Sequence, residues 1–178
     1  MNKFSELIGK KVEKLFLVVW PPFGEDNVTN IDMSFGFIFE DNHSQLCVIS
    51  VDKDDLWLPS IFNQTLPQNV YSWEDYYIRM EMWMNIKDDN CILNKEYYDV
   101  SNCNLFEKII NSKVLRIDLI SLIDNPEPFG IKIIFPNDYI ISTPISDGNT
   151  VETSKFNQNN NLEVFKKIGT IVYSPIMQ

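Results

Sequence analysis

The chain reads FSELIGKKVEKLFLV from Phe4 to Val18 and FEKIINSKVLRIDLI from Phe106 to Ile120. Laid side by side without a gap, the two stretches agree at Phe4/Phe106, Ile8/Ile110, Lys11/Lys113, Val12/Val114 and Leu17/Leu119. Each reads as a capped helical turn, a stop and a strand. In the second copy Asn104 and Glu107 have the spacing of a capping box, and Phe106, Ile109 and Ile110 share one helix face. In the first copy Asn2 is the candidate cap and Phe4, Leu7 and Ile8 form the face. Gly9 and Asn111 then occupy the same place, and these are the residue types that enter the left-handed conformation at least cost. Beyond the stop, Leu115, Ile117 and Leu119 alternate with Arg116 and Asp118, the period of a half-buried strand. Leu15 to Trp20 is apolar on both faces, which predicts a central strand or one covered on its second side.

A second echo follows. SFGFIF from Ser34 parallels PFGIKI from Pro128, and each precedes a polar turn and a returning strand, Gln45 to Val51 and Tyr139 to Thr143. These read as hairpins with loops of about three to five residues. Phe62-Asn63-Gln64 and Phe156-Asn157-Gln158 lie at the same offset from the two FG pairs. The reading is an internal duplication, residues 1–68 and 103–160, joined by a helical segment 69–102.

Within that segment Trp73, Tyr76, Tyr77, Met80, Trp83 and Met84 fall on one helical stripe. Ser72 with Asp75 marks its start and Asp75/Arg79 can pair at i, i+4, which predicts a helix over 72–87. The expected fold class is α+β: antiparallel sheet or sheets built from two helix–β–β–β repeats, with an aromatic-rich helix between them. Pro21-Pro22 opens a loop through Asn30, longer than its counterpart around Asp124 to Glu127. Asn157 to Asn161 reads as a turn or loose linker, Leu162 to Ile168 as a last short helix and Gly169 to Tyr173 as a last strand.

The chain has 178 residues, 44% hydrophobic and 22% charged, which places it among globular proteins. With 25 acidic against 15 basic residues the net charge is −10. Such a surface repels nucleic-acid phosphates and anionic lipid, so a partner chosen by charge is cationic; solubility alone is the competing explanation. Three cysteines, Cys47, Cys91 and Cys103, form neither a disulfide framework nor a metal-ligand pattern. The start, MNKFSELIGKK, does not read as a signal peptide, and the longest apolar run, Leu15 to Pro22, is far too short to span a bilayer. The cytoplasm is the expected compartment.

Catalytic motifs are absent from the sequence. His43, the one histidine, sits in a predicted hairpin turn beside Glu40 and Asp41, where a solvated side chain is ordinary. Asp52-Lys53-Asp54-Asp55 resembles the start of a calcium loop but lacks its central Gly and terminal Glu, so a solvated acidic loop is the plainer reading. No catalytic residue, cofactor or metal is expected. Trp57, following the acidic run, is either a buried strand-end residue or an anchor for a basic partner. The aromatic stripe of 72–87 reads first as core packing and second as a partner-facing surface.

The acidic loop DKDDLW (Asp52 to Trp57), the hairpin FGFIFEDNHSQLCVIS and the Asn/Ile/Lys-rich composition resemble those of immunity proteins from bacterial polymorphic-toxin systems, including contact-dependent inhibition and type VI secretion. That resemblance implies tight binding to a cognate toxin, often a basic nuclease, with its active site blocked. The candidate partner-binding residues are Glu25, Asp26, Asp52, Asp54, Asp55 and Trp57. Two other readings stand beside it: an enzyme or small-ligand protein whose site is assembled from dispersed carboxylates and aromatics, and a subunit of a larger assembly. The expected state is monomer or dimer.

Overall fold

A computed structural model describes residues 3–22, 31–51, 58–87, 94–146 and 148–177. The fold is sheet-dominated α+β, with 48% strand against 15% helix. After a 3-10 turn at Lys3–Leu7, the first sheet collects β1 (Val12–Val19), β2 (Met33–Phe39), β3 (Asn42–Val51), β4 (Pro59–Thr65), β5 (Tyr71–Ser72) and β6 (Glu96–Asp99). Its spatial order is β4-β3-β2-β1-β6-β5. β1 to β4 form an antiparallel meander, β6 returns antiparallel along β1, and β5 lies parallel on the outer edge of β6. A 3-10 turn at Trp73–Asp75 and α1 (Tyr76–Asn85) connect β5 to β6.

The second sheet collects β7 (Arg116–Leu122), β8 (Asn125–Ile134), β9 (Tyr139–Ile145), β10 (Gly148–Thr153) and β11 (Ile171–Pro175), in the order β10-β9-β8-β7-β11. It too is a four-strand meander closed by a strand that returns antiparallel along the first, here β11 on β7. α2 (Leu162–Lys166) lies in the connection. The two sheets pack face to face, β2 against β10, β3 against β9 and β4 against β8.

The inner faces supply the core. Leu15, Leu17, Phe35, Phe37 and Ile49 of the first sheet meet Ile117, Ile131, Ile133, Ile140 and Val151 of the second. Phe35 stands edge-on to Phe106 at 5.5 Å, and Phe106 packs on Phe156 at 5.2 Å. Phe4 and Leu7 of the first repeated stretch are buried in this core, as are Phe106 and Ile109 of the second.

The two repeated stretches bond to each other. Lys11 and Lys113 form an isolated antiparallel bridge. Around it Gly9 N–H donates to Val114 O and Asn111 N–H to Val12 O, both at 2.8 Å. Val12 N–H donates to Ser112 O at 3.0 Å and Val114 N–H to Lys10 O at 2.9 Å. Gly9 (φ 86°) and Asn111 (φ 61°) are both left-handed, the conformation their residue types predict.

Several expectations change. The first stretch has a 3-10 turn, and the second has a chain of turns at residues 104–111 where a helix was expected. Each meander has four strands, not three. Among the described residues of 69–102 the helical ones are Trp73–Asn85; the segment also supplies β5 and β6, so it belongs to the first sheet. Asp75 accepts the Ser72 N–H (3.3 Å) and hydroxyl (2.9 Å), the expected start. Arg79 does not pair with Asp75, because the buried carboxylate of Glu96 takes its guanidinium. Phe62-Asn63-Gln64 lies on β4 while Phe156-Asn157-Gln158 lies beyond β10, so that echo has no structural counterpart.

Asp118, read as facing water, is 2% exposed, because the outer face of the second sheet is covered too. There Ile120, Ile141 and Leu162 cluster, and Phe165 of α2 stacks on Phe129 at 4.2 Å. Asn157 to Asn161 is bonded into the sheet. Asn157 Nδ2 donates to Thr150 Oγ1 and Val151 O, Asn161 Nδ2 to Thr143 Oγ1 and Pro144 O, and Asn161 N–H to the Glu152 carboxylate.

Candidate functional site

The two sheets share an order but differ at one end. In the first sheet Val19 stands beside Met33 on one side and Glu96 on the other, and Val51 pairs with Pro59. These are the strand ends joined by the β1–β2, β3–β4 and α1–β6 connections, and all of them lie at the same end of the sheet. The connections run over residues 20–32, 52–58 and 86–95, which is 13, 7 and 10 residues. Their counterparts in the second sheet run over 123–124, 146–147 and 167–170, which is 2, 2 and 4 residues. Every connection at this end is therefore longer in the first half.

Charge follows length. The three longer connections contain Glu25, Asp26, Asp32, Asp52, Asp54, Asp55, Asp88 and Asp89 against Lys53, Lys87 and Lys95. Residues 1–102 contain 17 acidic and 8 basic side chains, and residues 103–178 contain 8 and 7. The net charge of −10 thus divides into −9 and −1. Of the candidate partner-binding residues, Glu25, Asp26, Asp52, Asp54, Asp55 and Trp57 all lie outside the described residues. The acidic run considered as a calcium loop lies there as well.

The described part of this end is a built surface. Trp20, 41% exposed, follows the last residue of β1 and donates its N–H to Asp32 O at 2.9 Å. Beside it, on the outer face, Ser34 and Ser50 share a hydrogen bond of 2.7 Å, and the Lys95 ammonium lies 5.4 Å from the centre of the Phe62 ring. Asp32 ties this end to the second sheet. Its Oδ1 accepts the Asn149 N–H at 2.9 Å, and the Asn149 side chain donates to Met33 O at 2.9 Å. Gly148 (φ 128°) packs so closely on the Asp32 carboxylate that a Cβ would overlap it. Trp20 is not among the candidate partner-binding residues; its one sequence signal, an aromatic between an apolar run and Pro21-Pro22, marks a strand end.

Glu96, at the start of β6, fixes α1 to the same end. It is 6% exposed. Arg79 Nε donates to both of its oxygens at 3.2 Å and Arg79 Nη2 to Oε1; Trp83 Nε1 donates to Oε1 at 2.9 Å, and the Tyr98 hydroxyl to Oε2. The guanidinium lies 3.8 Å over the Tyr71 ring. Burial raises the Glu96 pKa, but the hydrogen bonds from Arg79, Tyr98 and Trp83 outweigh it and hold the carboxyl below its ordinary value. All its neighbours are donors, so it acts as an ionised clamp. Tyr76 and Met80 of the predicted stripe are buried, Trp73, Trp83 and Met84 are half-buried, and Tyr77 is exposed, so the stripe is mainly core.

His43 lies at the opposite end of the first sheet, next to the β2–β3 turn. It is exposed, paired with Glu13 and flanked by the Lys10–Asp41 and Lys11–Glu40 ion pairs. Near that end a cleft of about 380 Å³ is lined by Leu7, Phe39, Ile61 and Phe62, with Lys3 and Glu6 among its polar residues. The Cys47 thiol also lines it, and burial pushes that thiol up to about 11, the opposite of an activated nucleophile. Among the described residues no cluster of three or more His, Cys, Asp or Glu side chains could hold a metal ion, and no helix is long and apolar enough to cross a membrane.

The fold is that of a two-sheet α+β protein in which three connections joining strands at one end of the first sheet are longer than their counterparts in the second. No family model matches the chain, and no curated protein or solved structure matches it significantly.

Proposed function

We propose that this is an acidic protein-binding protein, built from two copies of one unit, that engages a cationic partner protein at the loop-elaborated end of its first sheet. By its resemblance to immunity proteins, the partner is a basic toxin domain that the binding neutralises. One observation carries the reading: the three connections at that end are each longer than their counterparts and together hold eight carboxylates against three lysines. Folding alone does not require this, because the second half closes the same strand order with short turns. Carboxylates carried by connections that leave one end of a sheet would accelerate encounter with a cation, and an exposed aromatic such as Trp20 supplies contact area.

The duplicated unit would run from a buried turn through four strands and a helix to a returning strand. The matched hydrogen bonds around Lys11 and Lys113 support it, as does the shared order β4-β3-β2-β1-β6 and β10-β9-β8-β7-β11.

The test is affinity capture from the source cells at low salt with elution by a salt step. Wild type and the triple reversal Asp52→Lys, Asp54→Lys, Asp55→Lys are compared. A specific basic protein retained by wild type, released by salt and lost with the triple reversal is the expected result. No specific partner, or a partner held equally by both, overturns the reading.

A further inference from the structure

The returning strands β6 and β11 occupy the same place in their sheets but end differently. The outer edge of β6 is paired with β5, Tyr71 beside Tyr98 and Ser72 beside Asp99. Among the described residues nothing pairs with the outer edge of β11. The hydrogen bonds of β11 fix which of its groups face outward. Thr170 O accepts from Ile123 N–H at 2.9 Å and Ile176 N–H donates to Ile117 O at 2.8 Å. In an antiparallel ladder these roles alternate, so residues 170, 172, 174 and 176 turn toward β7. Ile171, Tyr173 and Pro175 turn their backbone groups away from it. Pro175 has no N–H to offer.

From this edge the geometry points to a symmetric dimer in which β11 of one copy pairs antiparallel with β11 of a second copy, about a two-fold axis at Val172. In that register Ile171 lies opposite Tyr173 of the second copy, and both residues exchange N–H and C=O, giving four hydrogen bonds. A register centred on Tyr173 would set Ile171 against Pro175, which has no N–H, and leave both Ile171 carbonyls without a donor; the register centred on Val172 pairs every outward backbone group of Ile171 and Tyr173. The residues beside the edge are suited to contact: Tyr173 is 42% exposed, and Ile123 and Ile168 next to Thr170 are exposed too. The strand carries no charged side chain, the usual protection of a free edge.

Charge chooses this edge over the other surfaces. Two copies meeting through residues 1–102 would bring together halves of net charge −9; through residues 103–178 each brings −1. Of the other edge strands, β10 is tied to the first sheet through Asn149 on Met33 and Asp32, and β4 and β5 belong to the half of net charge −9. The dimer uses no residue of the three longer connections, so it is independent of the partner proposed above.

The test is sedimentation of the full chain over a concentration series, with amide hydrogen exchange at both extremes. The expected result is a monomer–dimer equilibrium in which the Ile171 and Tyr173 amides are protected at high concentration and exchange at least tenfold faster on dilution. The Val172 and Ser174 amides, bonded to β7, stay protected in both. Tyr173→Lys is expected to weaken dimerisation at least tenfold with an unchanged circular dichroism spectrum. A monomer at every concentration overturns the inference. So does a dimer whose Ile171 and Tyr173 amides exchange as they do in the dilute chain, a reading that needs no variant to fold.

Discussion

Lys11 and Lys113 face each other across an antiparallel bridge, residue against matching residue, 102 positions apart in the chain. The left-handed residues on either side, Gly9 and Asn111, each donate to the valine that follows the other by three residues in its copy, Gly9 to Val114 and Asn111 to Val12. The segment that begins each half is therefore also the seam between the sheets.

That seam depends on two positive φ angles. A Cβ at Gly9 would meet nothing within 4 Å, so Gly9→Ala isolates the backbone term and should destabilise by about 1 kcal/mol. Asn111→Ala should cost a similar amount and Asn111→Gly little or nothing. Urea denaturation midpoints at constant slope decide the matter; a neutral Gly9→Ala would mean the seam relaxes without loss.

The Glu96 clamp should be among the most sensitive sites. Glu96→Ala leaves the Arg79 guanidinium, Trp83 N–H and Tyr98 hydroxyl without their shared acceptor and should cost about 3–5 kcal/mol. The folded pKa lies below the ordinary value of 4.5, so this carboxylate contributes stability above that pH and loses it as pH falls through the folded value. Acid titration of stability should show a step in wild type that is missing in Glu96→Ala.

Glu152 behaves in the opposite sense. Burial raises its pKa above 4.5 against the opposing amides of Asn161 and Asn160. A raised folded value gives a contribution that is present below the unfolded pKa and lost as pH rises through the folded one. Glu152→Gln keeps the shape and the acceptor, so it should stabilise the protein at neutral pH and show no advantage in acid. Thermal midpoints of both proteins at acid and neutral pH read this directly.

Gly36, paired with Phe16 on β1, has no room for a side chain. A Cβ there would lie 2.9 Å from Leu46 Cδ1, and Leu46 is fully buried. Gly36→Ala should cost about 1–3 kcal/mol by overpacking. Shortening the neighbour in Gly36→Ala/Leu46→Ala should cost less than the sum of the single changes, which a double-mutant cycle measures.

Thiol chemistry offers a last check. With its thiol pushed up to about 11 and its side chain buried, Cys47 should resist alkylation at neutral pH until the protein unfolds, while the half-buried Cys103 reacts earlier. Mass mapping of a time course of alkylation reports the order; labelling of Cys47 ahead of Cys103 would mean the β3 region opens readily.

Local rules made much of this fold legible. Gly9 and Asn111 announce their own conformation, since few residues enter the left-handed region. The apolar run of β1 announces a central strand, and the spacing of Trp73, Tyr76 and Met80 announces a helix with one packed side. The loop asymmetry was visible in part, in the Pro21–Asn30 insertion and the acidic Asp52–Asp55 run. Asp118 misled because alternation marks one face as polar only when that face meets water, and here α2 and Tyr173 lie over it. Asn157 to Asn161 misled because an amide-rich stretch looks the same whether its side chains meet water or the polar groups of Thr143, Pro144, Thr150 and Val151 on β9 and β10.

By itself the sequence determined what depends on neighbours along the chain: the left-handed stops, the strand periods, the α1 stripe and the sign of the surface. Tertiary structure alone decided what depends on partners far apart. It set Lys11 against Lys113, took Arg79 from Asp75 and gave it to Glu96, brought the ends of β1, β2, β3, β4 and β6 to one place, and left β11 with an open edge. Each of these is a pairing across many intervening residues, chosen by burial and by hydrogen-bond satisfaction over the whole molecule, and local sequence does not encode that choice.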